Sequence, residues 1–491
     1  MSRKTALILL LYIAAAAAQH RGDNLAFQGL PLDQSTGVRA AALGAAFTAQ
    51  TADPGALWFN PAGLAGIDRL QLSISADRAS ALWRENQVYR PNRMFWTLAS
   101  YLEGLYIPDP ADNGIWDYEL AQDSSYRVEE PVLGLEPFSE EAADWQRKLN
   151  RCGIRQISAA WPLRISSQKL VLSAGYARSA LDDFDRNDTF LDPHIGYDEY
   201  GVVPRVVTDT VRFSWSRFQR QREGDIHTFT AGLAWAPGAR IQLGASAALR
   251  DGESSDLQSL NRVGWFDIAK DNRFRFSYDT LDVVTRGNSD YRALHCALGA
   301  LFNFERLSLG IQVRLPYTIT RTWRATTVTA GAAGTESAAT AGTAEFHHPA
   351  TFSFGAAIRP VDPFRLYLDY QFTPYSAGEI DLQADDPTNR ELPDQSDLRC
   401  GIAWAPVPFL ELMAGYRQAT TLFVPDGAAI KDRGPAADAW SVGTGLNLAG
   451  YGRLELAWVS QRLKYYDSYY SNTNYVTQTL GNLLVGYTYQ F

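Results

Sequence analysis

Pro363 to Phe372 reads PFRLYLDYQF. Phe364, Leu366, Leu368, Tyr370 and Phe372 fall on one parity, and Arg365, Tyr367, Asp369 and Gln371 on the other. That is the period of a strand with one apolar face and one wet face. The pattern recurs upstream. Leu307, Leu309, Ile311, Val313 and Leu315 oppose Arg306, Ser308, Gly310, Gln312 and Arg314; Ile241, Leu243, Ala245, Ala247 and Leu249 oppose Arg240, Gln242, Gly244, Ser246 and Arg250. A secreted all-β sandwich alternates in the same way, so the connections must separate the two architectures.

Short and long connections alternate along the chain. GLAWAPGARIQL, LFNFERLSLG, AAIRPVDPFRLYL, IAWAPVPFLEL and LNLAGYGRLEL are tight hairpins, each followed by a longer polar stretch. Outer-membrane barrels have this asymmetry, with short periplasmic turns and long extracellular loops. Three hairpins share a signature: Gly232 to Pro237 (GLAWAP), Gly355 to Pro360 (GAAIRP) and Gly401 to Pro406 (GIAWAP). The proline, lacking an N–H, stands where ladder pairing stops. Upward strands are expected near 68–77, 168–178, 240–250, 306–315, 363–373, 408–418 and 451–460, and downward strands near 155–163, 226–236, 292–304, 348–360, 397–405, 438–448 and 479–491. The fold class is therefore an all-β transmembrane antiparallel barrel of about fourteen strands. In the longest loop, SEEAADWQRKL from Ser139 has an N-cap, early glutamates and late basic residues, which predicts a short helix.

Composition narrows the setting. Arg3 and Lys4, an apolar run from Ala6 and the small residues Ala16 and Ala18 read as a signal peptide over residues 1–18. No later stretch supplies about 18 consecutive apolar residues, so helical spans are not expected. The net charge is -9, which argues against a nucleic-acid partner. Cys152, Cys296 and Cys400 are far apart and odd in number, giving neither a disulfide framework nor ligand spacing. His347 and His348 are adjacent and would point to opposite strand faces; Asp183, Asp185 and Asn187 begin like a calcium loop but lack its glycine and closing glutamate, and read as a solvated acidic loop. No metal, cofactor or catalytic constellation is expected.

The last strand places Leu483, Val485, Tyr487, Tyr489 and Phe491 on one parity. This resembles the C-terminal signal of outer-membrane barrels, with Tyr487, Tyr489 and Phe491 addressed to the assembly machinery. Residues 37–66, GVRAAALGAAFTAQTADPGALWFNPAGLAG, are too rich in small residues to be wall. Gly37, Arg39, Ala41, Gly44, Ala46 and Phe47, followed by Asn60, Pro61, Ala62, Gly63 and Leu64, resemble the opening motifs of the long-chain fatty-acid transporter family of outer-membrane proteins (OmpP1/FadL/TodX type). Pro349, Gly355 and Asp369 match that family's middle hairpin.

The resemblance implies a fourteen-stranded barrel (67–491) plugged by an N-terminal hatch (19–66), in the outer membrane of a diderm bacterium. Its implied partners are a hydrophobic small-molecule ligand and outer-membrane lipids, and a monomer is expected. Passive passage of long-chain fatty acids or hydrocarbons is the implied function; the alternative is a barrel scaffold or shuttle in protein secretion. Phe47, Leu57, Trp58, Phe59, Asn60 and Pro61 are the candidate hatch and ligand residues, joined by the aromatics Trp83, Phe95, Trp96 and Trp116. Gly175 falls in the third strand, which family members kink to open the wall toward lipid, and is the candidate kink. Arg240, Arg306, Arg314, Arg365, Glu411, Arg417, Arg453 and Glu455 make a polar lumen that an apolar solute would avoid, which favours lateral exit.

Overall fold

A computed structural model of the chain describes residues 37–86, 138, 145–165, 168–194, 210–269, 274–377, 393–422, 435–449, 451–469 and 472–491. The predicted signal peptide and Phe95, Trp96 and Trp116 lie outside them. The strands are β1 (Gln71–Asn86), β2 (Trp145–Ile165), β3 (Gln168–Ala180), β4 (Asp183–His194), β5 (Thr210–Ala236), β6 (Ile241–Ala269), β7 (Phe274–Asn303), β8 (Leu307–Arg314) and β9 (Tyr317–Gly331). They continue with β10 (Gly334–His348), β11 (Thr351–Ile358), β12 (Phe364–Thr373), β13 (Gln395–Val407), β14 (Leu410–Thr420), β15 (Ala436–Leu448), β16 (Gly452–Tyr469) and β17 (Asn472–Gln490).

Three neighbouring pairs are single wall strands with a break. β3 and β4 both pair with β5, β8 and β9 both pair with β7, and β10 continues into β11 across Pro349 and Ala350. Pro316 and Pro349 explain two of the breaks, since neither has an N–H to give the ladder. At the third, Gly224 N donates to the Asp182 carboxylate at 3.4 Å, a side chain standing in for a ladder carbonyl. The wall is thus fourteen antiparallel strands, as the alternation predicts. It closes on itself because β1 pairs with β2 on one edge and with β17 on the other, from Gln71↔Gln490 to Asn86↔Tyr475.

The apolar parity points outward. Leu72, Ile74, Leu243, Leu298, Leu368, Leu412, Leu456 and Val485 are all exposed. Exposed aromatics rim this belt, with Trp161, Trp404, Phe409, Tyr451 and Phe491 at the short-turn end and Phe229, Tyr370 and Trp440 above. A water-soluble protein does not leave such a band uncovered, and an outward apolar band flanked by aromatics is the surface of a membrane barrel. Several strands run far past it: β7 has 30 residues, where a tilted strand needs about 9–11 to cross a bilayer. Phe491 closes the last strand, its N–H donating to Leu70 O at 3.0 Å, with the Tyr489 ring edge-on at 4.6 Å.

Two local readings are corrected. Trp145 to Leu149 is strand rather than the C-terminal half of a helix, pairing with Glu85 to Ala81; residues 139–144 lie outside the described set. The buried rings of Trp145, Trp83 and Phe184 pack together there, an apolar gain that overrides the end-charge pattern. Asp183 and Asp185 belong to β4 rather than a solvated loop, and Arg220 approaches both carboxylates at 3.7 Å.

Arginine at the belt's middle meets lipid, so Leu456→Arg is expected to destabilise the barrel by about 2–4 kcal/mol. Urea unfolding followed by tryptophan fluorescence checks this, and an unshifted midpoint would contradict the outward assignment.

Candidate functional site

Residues 37–67 fold inside the bore as short helices, Val38–Ala42 and Ala56–Phe59, and a 3-10 turn, Pro61–Gly66. None of these is long enough to satisfy its own backbone, so partners must come from the wall. The Asp369 carboxylate on β12 accepts from Phe47 N at 2.7 Å and Thr48 N at 2.6 Å. Ser441 Oγ on β15 accepts from Gly44 N and donates to Ala42 O. Arg39 Nη2 donates to Glu411 Oε1 on β14 at 3.0 Å, and Glu411 is held in turn by Arg453.

Asn60 is fully buried and uses its whole amide. Its Nδ2 donates to Thr48 O at 2.8 Å and to Ala300 O on β7 at 3.1 Å, while Oδ1 accepts from Ala62 N and caps the 3-10 turn. Asn60 is therefore a helical cap bolted to the wall. Phe47 and Leu57 are buried in packing, Phe47 against Phe59 at 5.3 Å. Trp58 and Phe59 are half-buried, and the Trp58 Nε1, out of water, has no acceptor among the described residues.

The wall makes room by omitting side chains. Gly175, Gly232, Gly244, Gly299, Gly310, Gly355, Gly401, Gly415, Gly443 and Gly486, each on a different wall strand, abut this segment. A Cβ at Gly299 would stand 2.0 Å from Asn60 Oδ1, and one at Gly415 2.1 Å from Gly44 N. Gly232, Gly355 and Gly401 are the first residues of the recurrent hairpin signature. The signal was in the sequence, but its meaning as a docking surface was not read.

Above the hatch a second layer crosses the bore. Leu181, Tyr291, Tyr317, Ile319, Phe346, Tyr375 and Leu422 form a buried cluster. Tyr317 stacks on His348 at 4.6 Å, and Tyr375 Oη meets His348 Nε2 at 2.7 Å. Because His348 Nδ1 faces Pro349 O at 2.8 Å it must donate there, so Nε2 accepts from Tyr375. The surrounding lumen is polar through paired charges: Arg399 and Arg417 flank Asp397, and Arg222 and Arg321 flank Asp256. Burial pushes the Asp256 carboxyl up, but Arg222, the Ser289 hydroxyl and Arg321 outweigh it and hold it below the usual carboxylate range.

The wall itself is discontinuous on one side. β2 and β3 share a ladder only from Ile165↔Gln168 to Gln156↔Ala177. Beyond that point, among the described residues, β2 pairs with β1 alone and β3 and β4 with β5 alone. The ladder stops where a register shift opposite Ser75 and Ala76 turns Arg155 inward to Asp77 at 3.4 Å. Side chains bridge the seam. Arg178 reaches Asp77 at 3.0 Å, Arg151 holds Asp225 at 3.0 Å and also Asp182, and Arg147 reaches Gln221 and Glu223 from above the Phe184 ring.

Gly175, the candidate kink, lies within continuous ladders. It pairs in register with Ser158 and Thr230, and the break in this strand falls at Leu181 and Asp182. Its missing side chain instead admits the hatch, with Trp58 Cζ2 2.7 Å from where a Cβ would stand. On the outer face at this level lies an open apolar groove of about 730 Å³, lined by Leu72, Ile157, Ala159, Ala174, Tyr176 and Phe229 among others.

No family model matches the sequence, and no curated protein matches it. Solved structures do match. The fold is similar to that of a FadL homologue of Pseudomonas aeruginosa (TM-score 0.57, 12% identity, covering 94% of this chain and 99% of that one). It is similar too to the toluene transporter TodX of Pseudomonas putida (TM-score 0.56, 13% identity, 94% and 99% covered). A third is the toluene transporter TbuX of Ralstonia pickettii (TM-score 0.51, 12% identity, 93% and 98% covered). At these identities the likeness is one of fold.

Asp369→Ala removes two charge-assisted bonds and is expected to loosen the hatch by about 2–3 kcal/mol. Hydrogen exchange at the Phe47 and Thr48 amides should accelerate; unchanged protection would contradict this docking.

Proposed function

We propose that the chain is a passive channel of a bacterial outer membrane for hydrophobic small molecules, of the class of long-chain fatty acids or hydrocarbons, which leave through the side of the barrel. The observation that carries the reading is the seam between β2 and β3 with the apolar groove at its foot. An apolar solute gains nothing from the lower bore, which is filled by the hatch and lined by ion pairs. At the seam no backbone ladder has to break, and the groove offers an apolar surface continuous with lipid.

The hatch meets this route at Trp58 and Leu57, which press on Gly175 from within. Phe47, Asn60 and Pro61 hold the hatch in place and act on passage by anchoring it, while Trp58 and Phe59 are the hatch side chains that meet solute. The aromatic layer around Tyr317 and Tyr375 lies on the long-loop side, where solute enters. The exposed apolar belt agrees with a place in a membrane, and the fold shared with toluene transporters agrees with a hydrophobic cargo.

Filling the groove from outside leaves the hatch untouched. Ala159→Trp with Ala174→Trp is expected to bring uptake of labelled long-chain fatty acid or toluene down toward that of cells lacking the protein, at equal barrel content. Full uptake by that variant contradicts the lateral route. Unchanged uptake on deletion of the protein, with impaired protein secretion, identifies the secretion shuttle instead.

A further inference from the structure

Just above the apolar belt the barrel's outer surface is divided by charge. On β16 the outward row Leu454, Leu456 and Trp458 gives way to Arg462 and Lys464. On β1 the row Leu72 and Ile74 gives way to Arg78 and then Arg84, and on β2 Ile157 and Ile154 give way to Lys148. β17, between β16 and β1, contributes no charge to this face: Arg462 pairs across to Thr479, which pairs with Leu82, which pairs with Lys148. At about 4.8 Å per strand, five cations occupy a patch roughly 15 Å wide.

Arg78, Lys148, Arg462 and Lys464 are exposed, and Arg84 is half-buried with Nε 3.4 Å from Gln146 Oε1. Among the described residues, Asp438 stands opposite Arg462 in the ladder, and it accepts from the Tyr416 hydroxyl at 2.6 Å and the Gln418 amide at 3.0 Å. On the far side of the barrel, at β6 and β7, the corresponding outward positions are Asp251, Glu253, Asp290 and Arg292, with Arg292 paired to Asp251 at 3.3 Å. The clustering occurs in a chain whose net charge is -9. It lies at the long-loop rim of the belt, where the head groups of the surrounding leaflet sit.

We propose that this face of β16, β17, β1 and β2 binds phosphate-bearing lipid head groups of the outer leaflet. The Arg78 fork matches phosphate oxygens, Lys148 and Lys464 add point charge, and the acyl chains lie on Trp458 and Leu483, on the rung of Arg78, and on Ile154. The proposal rests on the membrane placement argued above, but not on what the channel carries.

The test uses the full chain purified in detergent, native mass spectrometry, and three probes: a bis-phosphorylated glycolipid (lipid A), the same lipid dephosphorylated, and inorganic phosphate. The phosphorylated lipid is expected to be retained about tenfold or more tightly than its dephosphorylated form, with inorganic phosphate at equal concentration failing to displace it. The variant Arg78→Gln/Lys148→Gln/Arg462→Gln/Lys464→Gln, folded by its heat-modifiable migration, should lose that preference. Should it not fold, Lys148→Gln/Lys464→Gln, two exposed changes, should lose part of it. Asp251→Asn/Glu253→Gln should keep it. Equal retention of the two lipids, displacement by inorganic phosphate, or an undiminished preference in the lysine pair overturns the site. Solute uptake is a separate readout, so this site and the transport reading fail independently.

Discussion

An irregular stretch of chain can lie in the bore of a membrane barrel only if its backbone polar groups find partners there and the wall leaves space for it. Here both conditions are met by the same strands. Glycines on ten wall strands bring the hatch close enough to touch backbone, and between them Asp369, Ser441 and the Ala300 carbonyl receive or supply the hydrogen bonds that its short helices lack. The remaining features follow from this occupied bore. The hatch fills the lower bore, paired charges line what remains, and the proposed path for an apolar solute runs through the wall.

The wall strands were legible because each faces lipid on one side and a polar lumen on the other, which enforces a period of two over most of every strand. The hatch motif was legible as a motif, but its chemistry was not. Arg39 meets Glu411 and Phe47 meets Asp369 across sequence separations of 372 and 322 residues, distances at which no local pattern carries information. The same limit explains the misread segment at Trp145. Its end charges suit a helix and its side chains also alternate, and the choice is made by β1 and by the Phe184 ring, neither of them local. At Gly175 the bare Cα leaves room for Trp58 of the hatch, a contact that no local pattern announces.

The polar lumen and the proposed hydrophobic cargo, at odds in the sequence, are compatible under the proposed lateral route because of where the ladder ends. Of the arginines on the lumen-facing parity, Arg417 and Arg453 are paired with Asp397 and Glu411, and Arg147 and Arg151 span the stretch where, among the described residues, β2 shares no backbone bonds with β3 or β4. At this seam half-buried ion pairs, rather than a backbone ladder, join the two sides among the described residues.

The central claim is that the bore stays shut while apolar solute moves through the wall. The most direct measurement places the purified barrel in one bilayer system and records ion conductance together with transfer of a labelled long-chain fatty acid. The account predicts solute transfer with no sustained conductance. A persistent ionic current that rises and falls with solute transfer would mean that both share an open axial pore, and would contradict it.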